Sequence, residues 1–356
     1  MTGEAPFRLG VVEGYFGQQW SWECRLDYAP FLQTQGFSSY IYAPKNDPFL
    51  RKQWQSPYPD NMLDQLVGLQ RVYAAHQLEF GLGLSPFELY RNFSQTSKTL
   101  LAAKLEQLNQ INPDTLCILF DDMMGDLADL PEIQLDIVDF IRSRSTATRF
   151  VLCPTYYSSD PLLSKYFGKA PEHYLEKLGQ QLDRDVDIFW TGPKVISSEY
   201  PAEHLLEVAQ RLQRKPLLWD NYPVNDARRL TPFLHLSPFP HRDPAQLKSL
   251  CTGHLCNPMN QGYLSQLPLW TLAAQYRSEA ACATFSNAVQ ALCSPELAAL
   301  LLEDHVHFQQ TGLENLETHA IAGIKQRYAS LPASPLVNEI IAWLDGHYTF
   351  DPACLT

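Results

Sequence analysis

Short, continuously apolar runs alternate with longer amphipathic stretches from residue 8 to residue 256. The runs fall at residues 8–14, 37–43, 78–84, 115–120, 149–154, 186–190, 216–219 and 253–256. A strand with one face in water alternates polar and apolar residues. A strand that is apolar throughout is buried on both faces, as in a parallel sheet covered by helices. Stretches with helical spacing lie between the runs, at 23–35, 62–77, 98–110, 131–142, 171–182 and 202–214. Strict alternation of this kind implies parallel strands joined by right-handed crossovers. Eight such units in about 260 residues predict an α/β fold, a (β/α)8 TIM barrel. An open doubly wound sheet is the alternative that the pattern leaves standing.

From Pro268 onward the strand signal stops. Residues 270–292 read as one helix. Ser294-Pro295-Glu296 and Ser334-Pro335 read as helix starts, each with a capping Ser followed by Pro in the first turn. The expected organisation is a barrel over residues 1–267 and a C-terminal helical domain or cap over residues 268–356. The run containing Leu297, Leu300, Leu301 and Leu302 leaves these helices more apolar surface than a lone cap needs. They should pack on the barrel or on a second copy of the chain, as in a homodimer.

Composition narrows the partners. The 356 residues carry a formal net charge of −12, which repels phosphate backbones, so no nucleic-acid partner is expected. No stretch approaches the roughly 20 apolar residues of a membrane span. Residues 1–10 lack a basic region followed by an apolar run, so no secretory signal is expected. Cys117, Cys153 and Cys256 lie inside apolar runs, where cysteine acts as a small buried hydrophobe. No Cys-x-x-Cys pair occurs, and Cys251, His254 and Cys256 do not make a zinc spacing. These features predict a reduced, cytoplasmic protein that needs no metal and no cofactor.

In a barrel the chemistry sits at the C-terminal ends of the strands. Those ends read Glu13-Gly14-Tyr15-Phe16-Gly17, Ala43-Pro44-Lys45-Asn46-Asp47, Asp121-Asp122, Pro154-Thr155-Tyr156-Tyr157, Trp190-Thr191-Gly192-Pro193, Trp219-Asp220-Asn221-Tyr222-Pro223 with Asn225-Asp226 close behind, and Asn257-Pro258. Carboxylates and amides that can fork onto hydroxyl pairs converge there with aromatic faces that can cover a sugar ring. The Asp121-Asp122 pair is the sharpest feature. Two carboxyls crowded at the end of a buried strand push one pKa up, which leaves an acid beside an ionised partner. The plainer alternative for a lone Asp-Asp is a helix cap.

Other features carry less. Gly81-Leu82-Gly83-Leu84 lacks the third glycine of a nucleotide loop and reads as backbone packing. His305 and His307, in the helical tail, diverge on a helix and read as a solvated face. The Glu23-Cys24-Arg25 region and residues 211–215 read as solvated helix faces. Trp20 and Trp22 either stack on a sugar or plug the barrel mouth.

The run 10–20, the segment Tyr42-Ala43-Pro44-Lys45-Asn46-Asp47, the pair Asp121-Asp122 after Phe120, and the strand ends at 153–157, 190–193, 219–226 and 257–258 together resemble the O-GlcNAcase family of glycoside hydrolases. The match covers about residues 8–275 and touches seven strand ends in family order. The resemblance implies a retaining β-N-acetylglucosaminidase in which the substrate's own acetamido oxygen attacks the anomeric carbon to form an oxazoline. It implies that Asp121 polarises the acetamido group and that Asp122 is the general acid and base. It further implies that Tyr157 bonds the acetamido oxygen, and that Trp219, Cys153 and Thr191 wall a methyl pocket. Gly14, Lys45, Asn221, Asp226 and Asn257 would hold ring hydroxyls or the acetamido end. The implied partner is an N-acetylglucosamine-containing glycoside or glycoprotein. The order Tyr15-Phe16, Asn46, Met123-Met124 and Ser158-Ser159 depart from the family pattern, and none of these removes a catalytic group. A sugar-binding barrel without turnover, or another glycosidase on the same fold, are the competing readings.

Overall fold

The computed structural model describes residues 6–354. Eight strands form a closed, wholly parallel barrel in sequence order: β1 (Arg8–Glu13), β2 (Ser39–Tyr42), β3 (Glu79–Leu84), β4 (Thr115–Leu119), β5 (Arg149–Cys153), β6 (Val186–Trp190), β7 (Leu217–Asp220) and β8 (Gly253–Cys256). Closure runs through β1 and β8, with Val11 opposite Cys256. The open doubly wound sheet is thereby excluded. Every residue of β1, β2, β4, β7 and β8 is buried, which is why these runs carry no polar alternation.

Eight helices separate the strands: α1 (Trp22–Gln35), α2 (Asp60–Ala75), α3 (Gln95–Ile111), α4 (Leu130–Arg142), α5 (Pro161–Phe167), α6 (Tyr174–Gln181), α7 (Ala202–Leu212) and α8 (Pro244–Leu250). Ser21, Ser94, Asp160 and Asp243 cap α1, α3, α5 and α8 through their side-chain oxygens. The Gly81 and Gly83 pair is a packing device. A methyl group on Gly81 would lie 2.3 Å from Ile41 Cδ1, and one on Gly83 would lie 2.4 Å from the Ala43 Cβ.

Arg25 corrects the sequence reading of α1. It is buried beneath the barrel rim, not solvated. Its Nε donates to Glu13 Oε2 at 2.9 Å and its Nη2 to Oε1 at 2.6 Å. Tyr40 and Tyr15 add hydroxyl donors to the same carboxylate. Glu13 therefore ties β1 to α1 and does not face the pocket. Breaking such a pair on one side costs about 3–5 kcal/mol, because the other charge is left buried and alone. Arg214, at the end of α7, is likewise only half exposed. Its guanidinium donates to the carbonyls of Gly179, Leu182, Asp183 and Val186. Neither Trp20 nor Trp22 lines the cavity at the strand ends. Trp20 donates to the Met259 carbonyl at 3.0 Å, and Trp22 stacks on Tyr42 beneath Arg25.

Five further helices follow: α9 (Gly262–Tyr276), α10 (Phe285–Leu292), α11 (Pro295–Val306), α12 (Thr318–Ala329) and α13 (Pro335–Leu344). Ser294 and Ser334 cap α11 and α13, as their sequence signals require. The single helix expected over 270–292 is broken. Ser278 takes a left-handed φ of 64°, a short 3-10 turn follows, and Thr284 starts α10 afresh. α9 begins before Pro268 and runs through it, so the expected boundary at 267/268 falls inside a helix. Its Leu269, Leu272 and Ala273 belong to the barrel core, while Leu264 and Leu267 belong to a second core with Phe308, Tyr328, Ile340 and Trp343. His305 is half-buried, stacked on Phe285 and bonded to Ser237, rather than part of a solvated face. No helix among the described residues is long and apolar enough to cross a membrane.

Candidate active site

β4 delivers the acidic pair. The Phe120 N–H bonds the Cys153 carbonyl at 2.9 Å, extending the ladder by one residue. Thr155 Oγ1 then donates to the Phe120 carbonyl at 3.0 Å and accepts from Gln134 Nε2 at 2.9 Å. The turn that follows is therefore pinned from α4 and β5. Asp122 takes a φ of 55°, a left-handed conformation that an L-residue adopts at a cost of about 1–3 kcal/mol where the surroundings impose it. Arg51 Nη2 holds that turn by donating to the Asp122 carbonyl at 3.1 Å, and its Nη1 donates to Ser85 Oγ at 2.8 Å.

The two carboxyls have different partners. Asp121 Oδ2 is ion-paired with Lys45, while its Oδ1 is buried and has no hydrogen-bond partner. Asp122 Oδ1 accepts from the Tyr157 hydroxyl at 3.0 Å. Burial and then the Asp121 charge push the Asp122 carboxyl above the usual carboxylate range, against the opposing pull of Lys45, Arg51 and Tyr157.

The opposite wall is an amide chain. Trp219 Nε1 donates to Asn221 Oδ1 at 2.9 Å, Asn257 Nδ2 donates to the same oxygen at 3.0 Å, and the Gly14 N–H donates to Asn257 Oδ1 at 3.2 Å. Asn221 Nδ2 donates to the Val195 carbonyl at 2.8 Å. Residue 14 must be glycine, since a methyl group there would lie 2.3 Å from Trp219 Cζ2. Asp226 Oδ2 accepts from the Phe16 N–H at 2.9 Å. Burial raises its carboxyl to about 6, although the group keeps some surface open to the cavity.

All nine residues singled out as a site line one cavity of about 490 Å³: Asp121, Asp122, Gly14, Lys45, Tyr157, Trp219, Asn221, Asp226 and Asn257. Cys153 and Thr191 line it too. Asp220 does not, although it ends β7. It points away, accepting from Arg242 and from His254, and the Arg242 charge holds it down to about 2 despite its burial. Sequence reasoning named Phe16 at the first strand end without giving it a role, and missed Val195, Ile196, Ala227 and Cys354 on the wall and Arg51 behind Asp122. These come from loops and the C-terminal tail, where no periodicity marks them.

The strand ends of the closed barrel thus form one pocket, with adjacent carboxyls on one side and an indole braced by amides on the other. Residues 9–301 match the family model described as beta-N-acetylglucosaminidase, and the chain belongs to that family. It is 30% identical over 286 residues to the Protein O-GlcNAcase of Rattus norvegicus and to that of Mus musculus. The aligned stretch is 78% of this chain but 30% of each relative, so the chain spans about a third of the length of these proteins. A solved structure of a Thermobaculum terrenum O-GlcNAc hydrolase mutant superposes with a TM-score of 0.75 at 28% identity, covering 95% of this chain and 82% of that one.

Proposed function

We propose that this protein is a retaining exo-β-N-acetylglucosaminidase that works by substrate-assisted catalysis. The observation that carries the reading is the buried, unpartnered Asp121 Oδ1 beside the Asp122 carboxyl. An unsatisfied buried acceptor costs about 1–3 kcal/mol, and a donor from the ligand removes that cost. The acetamido N–H of a bound N-acetylglucosamine is such a donor. As the acetamido oxygen attacks the anomeric carbon, the glycosidic bond breaks, Asp122 gives its proton to the leaving oxygen, and the N–H proton passes to Asp121, which leaves a neutral oxazoline and returns that proton when the ring opens. Asp122, now ionised, takes a proton from water as the water opens the oxazoline with net retention.

Two adjacent residues on one strand end do not straddle a sugar ring, as the paired carboxyls of enzyme-nucleophile glycosidases do. Tyr157 fits the cycle as well. Its hydroxyl has one proton, which it donates in a hydrogen bond to the ionised Asp122. Once Asp122 is protonated, that hydroxyl is free to turn to the acetamido oxygen. Lys45, Asp226, Asn221, Asn257 and Gly14 are the proposed contacts to ring hydroxyls, and Trp219, Cys153 and Thr191 the walls of the methyl pocket. The names of the relatives point to N-acetylglucosamine O-linked to protein as the substrate class. A cytoplasmic location belongs to the same proposal, supported by the buried thiols of Cys117, Cys153 and Cys256.

A conventional pair would have to recruit Asp226, whose raised carboxyl lines the same pocket. The two readings separate on a single comparison. An aryl N-acetyl-β-glucosaminide should turn over, and the aryl β-glucoside, with a hydroxyl in place of the acetamido group, should not. Equal turnover of both would remove substrate assistance.

A further inference from the structure

α13 ends at Leu344, and the chain then leaves the helical cluster and returns to the barrel rim. Phe350, Ala353 and Cys354 pack there against Phe16, Ala227 and Leu230, which follow β1 and β7. Asp351 reaches the loop after β2, where Asn46 Nδ2 donates to its Oδ2 at 2.8 Å. An aspartate at 46 would repel it. Asp351 also shapes its own turn, with Oδ1 accepting the Ala353 N–H at 2.8 Å and its carbonyl accepting the Cys354 N–H at 2.9 Å. Cys354 is buried and lines the cavity together with Phe16, Asp226 and Ala227. One short segment thus ties together the loops after three strands, at the site of the proposed chemistry.

Trp219, Cys153 and Asp121 line the cavity from the strand ends, whereas Phe16, Ala227 and Cys354 line it from the loops and the tail. The leaving group of a sugar held at the strand ends must then project through the mouth, past the loop residues and past Cys354. We propose that residues 350–354 form a strap across the pocket mouth that determines which aglycones are accepted. Slender, flexible leaving groups, an unfolded segment of a glycosylated protein among them, pass beneath it, and a folded protein surface is held off. The strap works by obstruction, the repulsive half of specificity. This rests on the glycosidase reading above. The strap's attachments include a solvent-exposed hydrogen bond and a small apolar cluster, none of them to a residue of a barrel strand.

The test compares kcat/KM for an aryl N-acetyl-β-glucosaminide with that for a folded protein carrying one β-linked N-acetylglucosamine on a surface serine. The wild type should favour the aryl substrate. The double variant Phe350→Ala/Asp351→Ala should narrow that preference by about tenfold or more, the scale on which steric contacts discriminate. The single variant Phe350→Ala should do the same to a smaller extent. Retained aryl turnover reports an intact barrel in each variant. An unchanged ratio with aryl turnover intact overturns the strap and leaves the glycosidase reading in place. Loss of aryl turnover in both variants also overturns it, since a strap that only selects aglycones is dispensable for the small one. A wild type inactive on the aryl glycoside brings down the glycosidase reading, and the strap with it.

Discussion

Asp121 meets Lys45 and an empty acceptor position, whereas Asp122 meets Tyr157 and a raised pKa, and the proposed roles follow from that difference. Removing the general acid matters most when the leaving group is poor. Asp122→Asn should therefore still form the intermediate from an aryl glycoside with an acidic phenol, then stall at hydrolysis, and added azide should restore turnover. Asp121→Asn should lose rate on good and poor leaving groups alike, with no azide rescue. General acid–base assistance is typically about 10²–10⁴-fold, so pre-steady-state and steady-state rates on two phenols separate the cases. Identical leaving-group dependence in the two variants would reject the assignment. Arg51 acts through Asp122, not on the sugar, as a positioning residue. Arg51→Ala releases the left-handed turn and should cut kcat/KM by about tenfold or more, the scale of a lost hydrogen bond to a charged group. It also removes a cation that favours the ionised Asp122, so the alkaline limb of the rate profile should move to higher pH, and Arg51→Lys should restore part of both effects. A drop in rate with no movement of the limb would mean a merely structural role.

Elements differ in how much of themselves the sequence discloses. The eight strands were legible because continuous burial leaves an uninterrupted apolar run, and the strand ends follow directly from them. The strand ends placed all nine proposed site residues on one rim, and the family resemblance singled them out from the other residues there. Arg25 was not legible, because a hydropathy pattern marks a charged side chain as exposed and cannot register a buried carboxylate twelve residues earlier in the chain. The break between α9 and α10 was hidden for a related reason: Ser278 adopts positive φ without the glycine that normally announces it. The start of α9 was missed because its first turn is capped from elsewhere. The Tyr263 and Leu264 N–H groups donate to Glu339 of α13 at 3.0 and 2.8 Å. Burial pushes that carboxyl up to about 8, against the opposing pull of the backbone N–H groups of Leu264, Tyr263 and Gly262. A glutamate in the unfolded chain titrates near about 4.3. The folded state thus binds this proton more tightly, so the stability it contributes is complete below about pH 4.3 and is lost as pH rises towards about 8. Glu339→Gln cannot ionise. Its melting temperature relative to wild type should improve steadily between pH 5 and pH 8 and level off above. A constant difference across that range would show that Glu339 does not titrate there.

At the scale of the molecule, α9 makes one body of two cores. Its Leu269, Leu272 and Ala273 complete the barrel while Leu264 and Leu267, on the same helix, complete the C-terminal cluster. Other ties add to this: the Leu234 N–H bonds the Phe308 carbonyl at 3.0 Å, and the segment after α13 lies on the pocket rim. Neither core can loosen without disturbing a helix that the other needs. Damage placed wholly in the C-terminal cluster should therefore be felt at the active site. Leu267 is fully buried, and Leu267→Ala should destabilise by about 2–5 kcal/mol through lost burial and the cavity left behind. If the molecule unfolds as one unit, far-ultraviolet dichroism and residual turnover of an aryl N-acetyl-β-glucosaminide should shift to lower temperature together, by the same amount. If the barrel were independent, the variant would show an early transition in dichroism while turnover survived to the wild-type temperature. That split would separate the two cores and would mean that the helices after α9 serve the barrel only as a support for the segment across its mouth.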